Sequence, residues 1–214
     1  LCPEAREAML RWLGGPESEA FGNPHSPHRM GRMAAAAVEA ARDQVAALFP
    51  PGGRVIFTSG ATEALNLAIR GTPGTGPVAV SAVEHAAVLD TARAAGDCQV
   101  LPVDRDGICH PDEALPKGTR LIAVMQVNNE IGTIQPLDQW LMVAAEAGAL
   151  LLVDAVQAYG KVPLAAADMI AVSAHKLHGP KGIGALWVRE GVRLAGQQTG
   201  GGQEAGLRSG TLSP

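Results

Sequence analysis

The feature that most restricts the fold is a repeated alternation of short apolar runs with helical patterns. From residue 54 onward the runs are RVIFT, PVAVSA, CQVLPV, RLIAVMQV, ALLLVDA, DMIAVSA and IGALWV. They are rich in Val, Ile and Leu and apolar on both faces, as expected of strands buried between two layers of helix. Helical patterns occupy residues 60–70, 86–95 and about 137–147 between them. This punctuation predicts an α/β fold, a mostly parallel sheet flanked by helices. Ahead of it, residues 27–49 read as a long alanine-rich amphipathic helix, with Val38, Val45 and Leu48 available for packing. Residues 3–13 read as a shorter helix with a proline in its first turn.

Composition narrows the function classes. At 214 residues, 47% of them hydrophobic, the chain can bury a sizeable core. A formal charge of -4 and an aromatic content of 3% supply neither the basic patch nor the stacking platform of a nucleic-acid binder. The longest apolar stretch, residues 141–153, is interrupted by Glu146 and is too short for a membrane span. The first residues carry Glu4, Arg6 and Glu7 rather than a signal-peptide pattern, so a cytoplasmic location is expected. Cys2, Cys98 and Cys109 have neither disulfide-framework nor metal-ligand spacing, and no metal site is expected.

In an open parallel sheet, ligands bind beyond the carboxyl ends of the strands. After RVIFT, residues 60–62 (Gly, Ala, Thr) open a helix whose N–H groups can hold an anion, or which is simply capped, with Glu63 in its first turn. After PVAVSA comes Val83-Glu84-His85, whose histidine could equally be structural. Asn128-Asn129-Glu130-Ile131-Gly132 after the fourth run could be turn chemistry. Asp154 ends the fifth run, three residues before Gln157, and a buried carboxylate there needs a partner such as a protonated ring nitrogen. Ser173, His175 and Lys176 follow the sixth. A half-buried lysine at a strand end should have a depressed pKa, which an amine attacking an aldehyde requires. Together an aldehyde-binding lysine, an anion site, a buried aspartate and a stacking histidine fit pyridoxal phosphate (PLP), with the aspartate keeping the pyridine nitrogen protonated.

Seven segments in fixed order resemble the cysteine desulfurases of the class V aminotransferase family. They are GNPHSPHRMGR, FTSGATEALNLAI, VEHAAVLD, VMQVNNEIGTIQP, VDAVQAYGKVP, SAHKLHGPKGIGALWVR and GGGQEAGLRSGTL. The resemblance implies the large domain of a fold-type I PLP-dependent transferase over residues 27–214, preceded by a helix-and-loop segment over residues 1–26. It implies that Lys176 holds the cofactor aldehyde and moves the substrate α-proton, and that His85 stacks on the ring. Asp154 would pair with the pyridine nitrogen, and Gln157 and Asn129 would address the ring hydroxyl. Ala61, Thr62, Ser173 and His175 would hold the phosphate, and Thr211 would reach the phosphate of a neighbouring subunit in a homodimer. L-cysteine is the implied substrate and a sulfur-acceptor protein the implied partner.

This sequence departs from the family pattern at several points. NPHS at residues 23–26 replaces NPSS, and Gln126 and Gln203 stand where histidines are usual; these changes are conservative enough to leave cofactor binding intact, while the two glutamines could alter proton transfer or pocket shape. The connections at residues 111–117 and 163–168 look a few residues short. The family's opening strand, its small C-terminal domain, the loop with the sulfur-accepting cysteine and the substrate-binding arginine lie outside these residues. None of the three cysteines falls in a matching motif.

Two readings compete on the same PLP chemistry: a lyase acting on selenocysteine or another β-substituted amino acid, and a non-catalytic PLP-binding scaffold. A dinucleotide oxidoreductase would need Gly200, Gly202 and Ala205 to follow a strand and open an apolar helix, which the surrounding residues do not suggest.

Overall fold

All seven apolar runs become strands of one sheet. The computed structural model describes residues 1–15, 17–111 and 115–214, so part of the connection at residues 111–117 lies outside the described residues. The strands are β1 (Gly53–Thr58), β2 (Val78–Ser81), β3 (Cys98–Leu101), β4 (Leu121–Ala123), β5 (Leu150–Asp154), β6 (Met169–Ser173) and β7 (Gly184–Arg189). Their spatial order is β1-β7-β6-β5-β4-β2-β3. Pairings from β6 through β5, β4 and β2 to β3 are parallel, whereas β7 is antiparallel to both β1 and β6. The sheet is therefore mostly parallel, with β7 the reversed strand.

The helices are α1 (Pro3–Leu10), α2 (Arg29–Ala46), α3 (Ala61–Gly71), α4 (Ala86–Ala94) and α5 (Leu137–Ala147). Period-two alternation sends neighbouring strand residues to opposite faces. Val55, Phe57, Leu151, Val153, Ile170 and Val172 pack with Val38 of α2 and Trp140 of α5. Ile56, Leu152, Met169 and Ala171 pack with Leu65 and Ile69 of α3 and Val88 of α4. The strands are thus sandwiched, as their hydrophobicity requires, except β3, where Gln99 and Val100 are exposed at the sheet edge. Among the described residues, no helix is long and apolar enough to cross a membrane.

Two helices are shorter than their patterns suggest. α1 ends at Leu10 and buries none of its residues. α2 begins after His28, whose Nδ1 accepts the Gly31 N–H at 3.1 Å, and stops before Leu48, which is exposed rather than packed. Around Gly200 the chain forms a 3-10 turn over Gln203–Gly206 with no strand before it and no helix after, so the dinucleotide reading fails.

Candidate active site

The parallel strands β1, β2, β4, β5 and β6 deliver their polar ends to one cleft of about 510 Å³. Nine of the ten expected residues line it: Ala61, Thr62, His85, Asn129, Asp154, Gln157, Ser173, His175 and Lys176. Thr211 is exposed and lies outside the cleft lining.

At one end, β1 turns into α3 through Gly60, whose φ of 155° and ψ of 176° belong to a region that only glycine enters readily. No side chain caps α3. Glu63 instead folds back to accept the Ser59 N–H at 2.6 Å, so the capping alternative is not realised and the first helical N–H groups face the cleft. The second Glu63 oxygen accepts Arg208 Nε at 2.8 Å. Burial works to raise the Glu63 pKa, but the Arg208 and Ser59 hydrogen bonds prevail and hold it below the usual glutamate range. Gly184 of β7 lies hard beneath this turn: a Cβ there would stand 2.6 Å from Cα of Gly60 and from the Val172 carbonyl oxygen.

Ser173 ends β6, buried, with its Oγ 2.9 Å from His175 Nδ1. Lys176 sits on the 3-10 turn Ala174–Leu177, which closes through the Gly179 N–H to the Ala174 carbonyl and His178 in the left-handed region at φ 62°. Here the structure corrects the sequence reading. Lys176 is exposed rather than half-buried, because the turn carries it out of the sheet.

At the opposite end Asp154 is buried and its Oδ1 accepts the Val156 N–H at 2.9 Å. Burial pushes its pKa up, opposed by that hydrogen bond and by His85. His85 caps α4, with Nδ1 accepting the Ala87 N–H at 3.0 Å, so its structural and cleft-lining roles coexist. The polar cluster after β4 divides its labour. Asn128 makes the turn, its Oδ1 accepting the N–H groups of Glu130 and Ile131 and its Nδ2 donating to the Val83 carbonyl, while Asn129 lines the cleft.

Gln126 and Gln203 do not act on the cleft. Gln126 is buried, donates Nε2 to the Pro163 carbonyl at 2.7 Å and braces the short connection at residues 163–168. Gln203 accepts the Gly210 N–H at 3.3 Å. Neither residue lines the cleft. None of the three cysteines lines the cleft, and burial pushes the Cys98 thiol pKa up. Among the described residues no cluster could hold a metal ion.

Sequence reasoning passed over Glu84, buried close to Asp154, and Glu204. The latter accepts both Nη atoms of Arg42 at 2.8 and 2.7 Å and the Phe57 N–H at 2.6 Å. An acid immediately past a buried strand was the available signal for Glu84. Glu204 left none, since its partners are 147 and 162 positions away.

Comparison with known proteins gives the same picture. Residues 16–211 match the aminotransferase class V family model. The cysteine desulfurase IscS of Dictyoglomus turgidum is 41% identical, with 97% of this chain and 56% of that protein covered. A cysteine desulfurase of Cereibacter sphaeroides is 43% identical, covering 99% and 58%. Among solved structures, a NifS-like protein superposes with a TM-score of 0.89 at 34% identity, over 99% of this chain and 62% of the other. SspA in complex with cysteine superposes at 0.90 and 34%, over 99% and 65%. The chain spans about half the length of the curated relatives it matches. With its seven-stranded α/β layout and its strand-end cleft, the chain belongs to the class V aminotransferase family, in which the proteins it resembles along nearly its whole length are cysteine desulfurases.

Proposed function

We propose that these residues form the PLP-binding part of a cysteine desulfurase. The observation that carries the reading is the placement of Lys176 in one cleft with an uncapped helix N-terminus and a buried carboxylate. PLP, when bound, supplies an aldehyde for the amine and a protonated ring that accepts electrons from the substrate α-carbon. The residues fit it. The N–H groups of Ala61 and Thr62, with Ser173 and His175, form an anion seat above the Gly60–Gly184 contact. Asp154 supplies the buried negative charge that a ring N–H needs, and Asn129 and Gln157 supply polar groups for the ring hydroxyl. His85 offers its imidazole as the stacking face, already fixed by the Ala87 N–H.

Lys176 would hold the aldehyde with its Nζ and, once displaced by substrate, take and return the α-proton. The proposed substrate is L-cysteine, a choice supported by the cysteine bound in the SspA structure. The overall change is cysteine plus a thiol giving alanine plus a persulfide on that thiol. The thiol would belong to a cysteine outside these 214 residues, and an acceptor protein would then take the sulfur. Thr211, exposed near the end of the chain, would complete the phosphate seat of a second copy in a homodimer. A thiol-reducing compartment, cytoplasmic or organellar, suits a chain whose three cysteines form no disulfide.

Borohydride reduction of the PLP-loaded protein followed by peptide mass mapping tests the reading. A phosphopyridoxyl group on Lys176, absent from Lys176→Ala, is expected. Labelling elsewhere, or none, overturns the cofactor assignment.

A further inference from the structure

Glu84 lies in the turn after β2, one residue before His85. It is buried and absent from the cleft lining. Its Oε1 accepts the Met125 N–H at 2.7 Å and the Ser81 hydroxyl, while Oε2 has no partner among the described residues. The turn is stitched to the exit of β4 a second time, by Asn128 Nδ2 on the Val83 carbonyl. The residue after Met125 donates its backbone N–H to the Asp154 carbonyl at 2.9 Å, so the anchor of Glu84 is adjacent to the end of β5.

We infer that Glu84 is a positioning residue of the ring end: a neutral carboxylic acid that fixes the His85 turn on β4 and leaves Asp154 as the single negative charge there. Two carboxyl groups sharing one buried neighbourhood do not both ionise, and the one with the better access to a cation keeps the charge. Asp154 faces the cleft, where His85, His175, Lys176 and Lys181 also lie. Glu84 receives only a hydroxyl and one backbone N–H, with Asp154 the charged group acting on it from the neighbouring strand. An ionised Glu84 would leave one charged oxygen buried without a donor, which is costlier than a neutral acid in the same place. Burial, reinforced by Asp154 and opposed by Ser81 and Met125, pushes the Glu84 pKa up to about 8. The assignment of this end to a ring nitrogen rests on the PLP reading, whereas the neutrality of Glu84 does not.

The test is infrared titration of the apo chain together with the absorbance of the PLP-loaded chain across pH. At pH 7 a protonated-carboxyl band that survives Asp154→Asn and disappears in Glu84→Gln is expected. With PLP bound, Glu84→Gln should match the parent spectrum at pH 7 and lose an alkaline change centred near pH 8. A pH 7 spectrum altered in Glu84→Gln, or no Glu84-dependent band at pH 7, overturns the inference. Should Glu84→Gln fail to fold, titration of Asp154→Asn alone decides. A carboxyl band persisting past pH 7 supports neutral Glu84, and one gone by pH 6 refutes it. Absence of Lys176 labelling would sink the PLP reading while leaving the apo infrared result standing.

Discussion

The two ends of the cleft solve opposite electrostatic problems. In the proposed function the end at Gly60 would attract an anion, and what it offers is helix N–H groups near solvent, held in place by ion pairs reaching in from the C-terminal segment. Glu204 grips the strand side of the turn through Phe57 N–H, and Arg208 grips the helix side through Glu63. The end at Asp154 would present one negative charge, and there the carboxylate is buried, with a single backbone donor on Asp154 and a second acid alongside. An anion seat can tolerate water because many dipoles share the work. A lone buried carboxylate cannot, because each competing charge shifts its ionisation directly.

If the braces matter as much as their burial implies, Arg42→Ala should have the largest effect. It strands Glu204, whose side chain is 2% exposed, and should cost about 3–5 kcal/mol by denaturant unfolding. A cost near zero would mean that the Gly60 end does not depend on the clasp. Asp154→Asn tests the other end. Under the proposed function PLP should remain bound, while alanine formation from cysteine falls by about 100-fold or more, the scale of losing a charged catalytic group. Equal loss of PLP binding would erase the distinction between the ends.

Gly184→Ala drives a Cβ into the Gly60 backbone and should cost about 1–3 kcal/mol, with weaker PLP retention measured by dialysis. Arg208→Ala removes a half-buried pair and should cost about 1 kcal/mol, partly restored in Arg208→Lys. The Glu63 contribution has a definite pH sense. Its folded pKa is depressed, so its stabilisation is complete above the ordinary glutamate value of 4.5 and is lost as pH falls through the folded value. Glu84 has the reverse sense. The folded chain keeps a proton that the unfolded chain releases between 4.5 and about 8, so stability should decline with rising pH across that window in the parent and stay flatter in Glu84→Gln, as read by thermal midpoints.

Much of this was legible in the residues. Runs such as DMIAVSA are too short for helices and too apolar for exposed strands, so the sandwiched sheet follows from the hydrophobic pattern alone. The rule that ligands bind at strand ends then located nine cleft residues without coordinates. What stayed hidden depended on direction rather than residue type. Lys176 and Ser173 are three positions apart, yet one is exposed and the other buried, because a 3-10 turn begins between them. Gln126 leaves a buried strand exit like Asn129, yet it points to Pro163 and not to the cleft.

The sequence by itself determined the layers, the strand set and the chemical inventory at the strand ends, since those follow from local hydrophobic period and chain punctuation. Only the tertiary structure decided that β7 runs reversed between β1 and β6, that Glu204 and Arg208 clasp a turn some 147 positions away, and that Glu84 is shut in beside Asp154. Pairings across such separations carry no local signature, because the partners meet only after the sheet has closed over the core and set the solvent access of each charge.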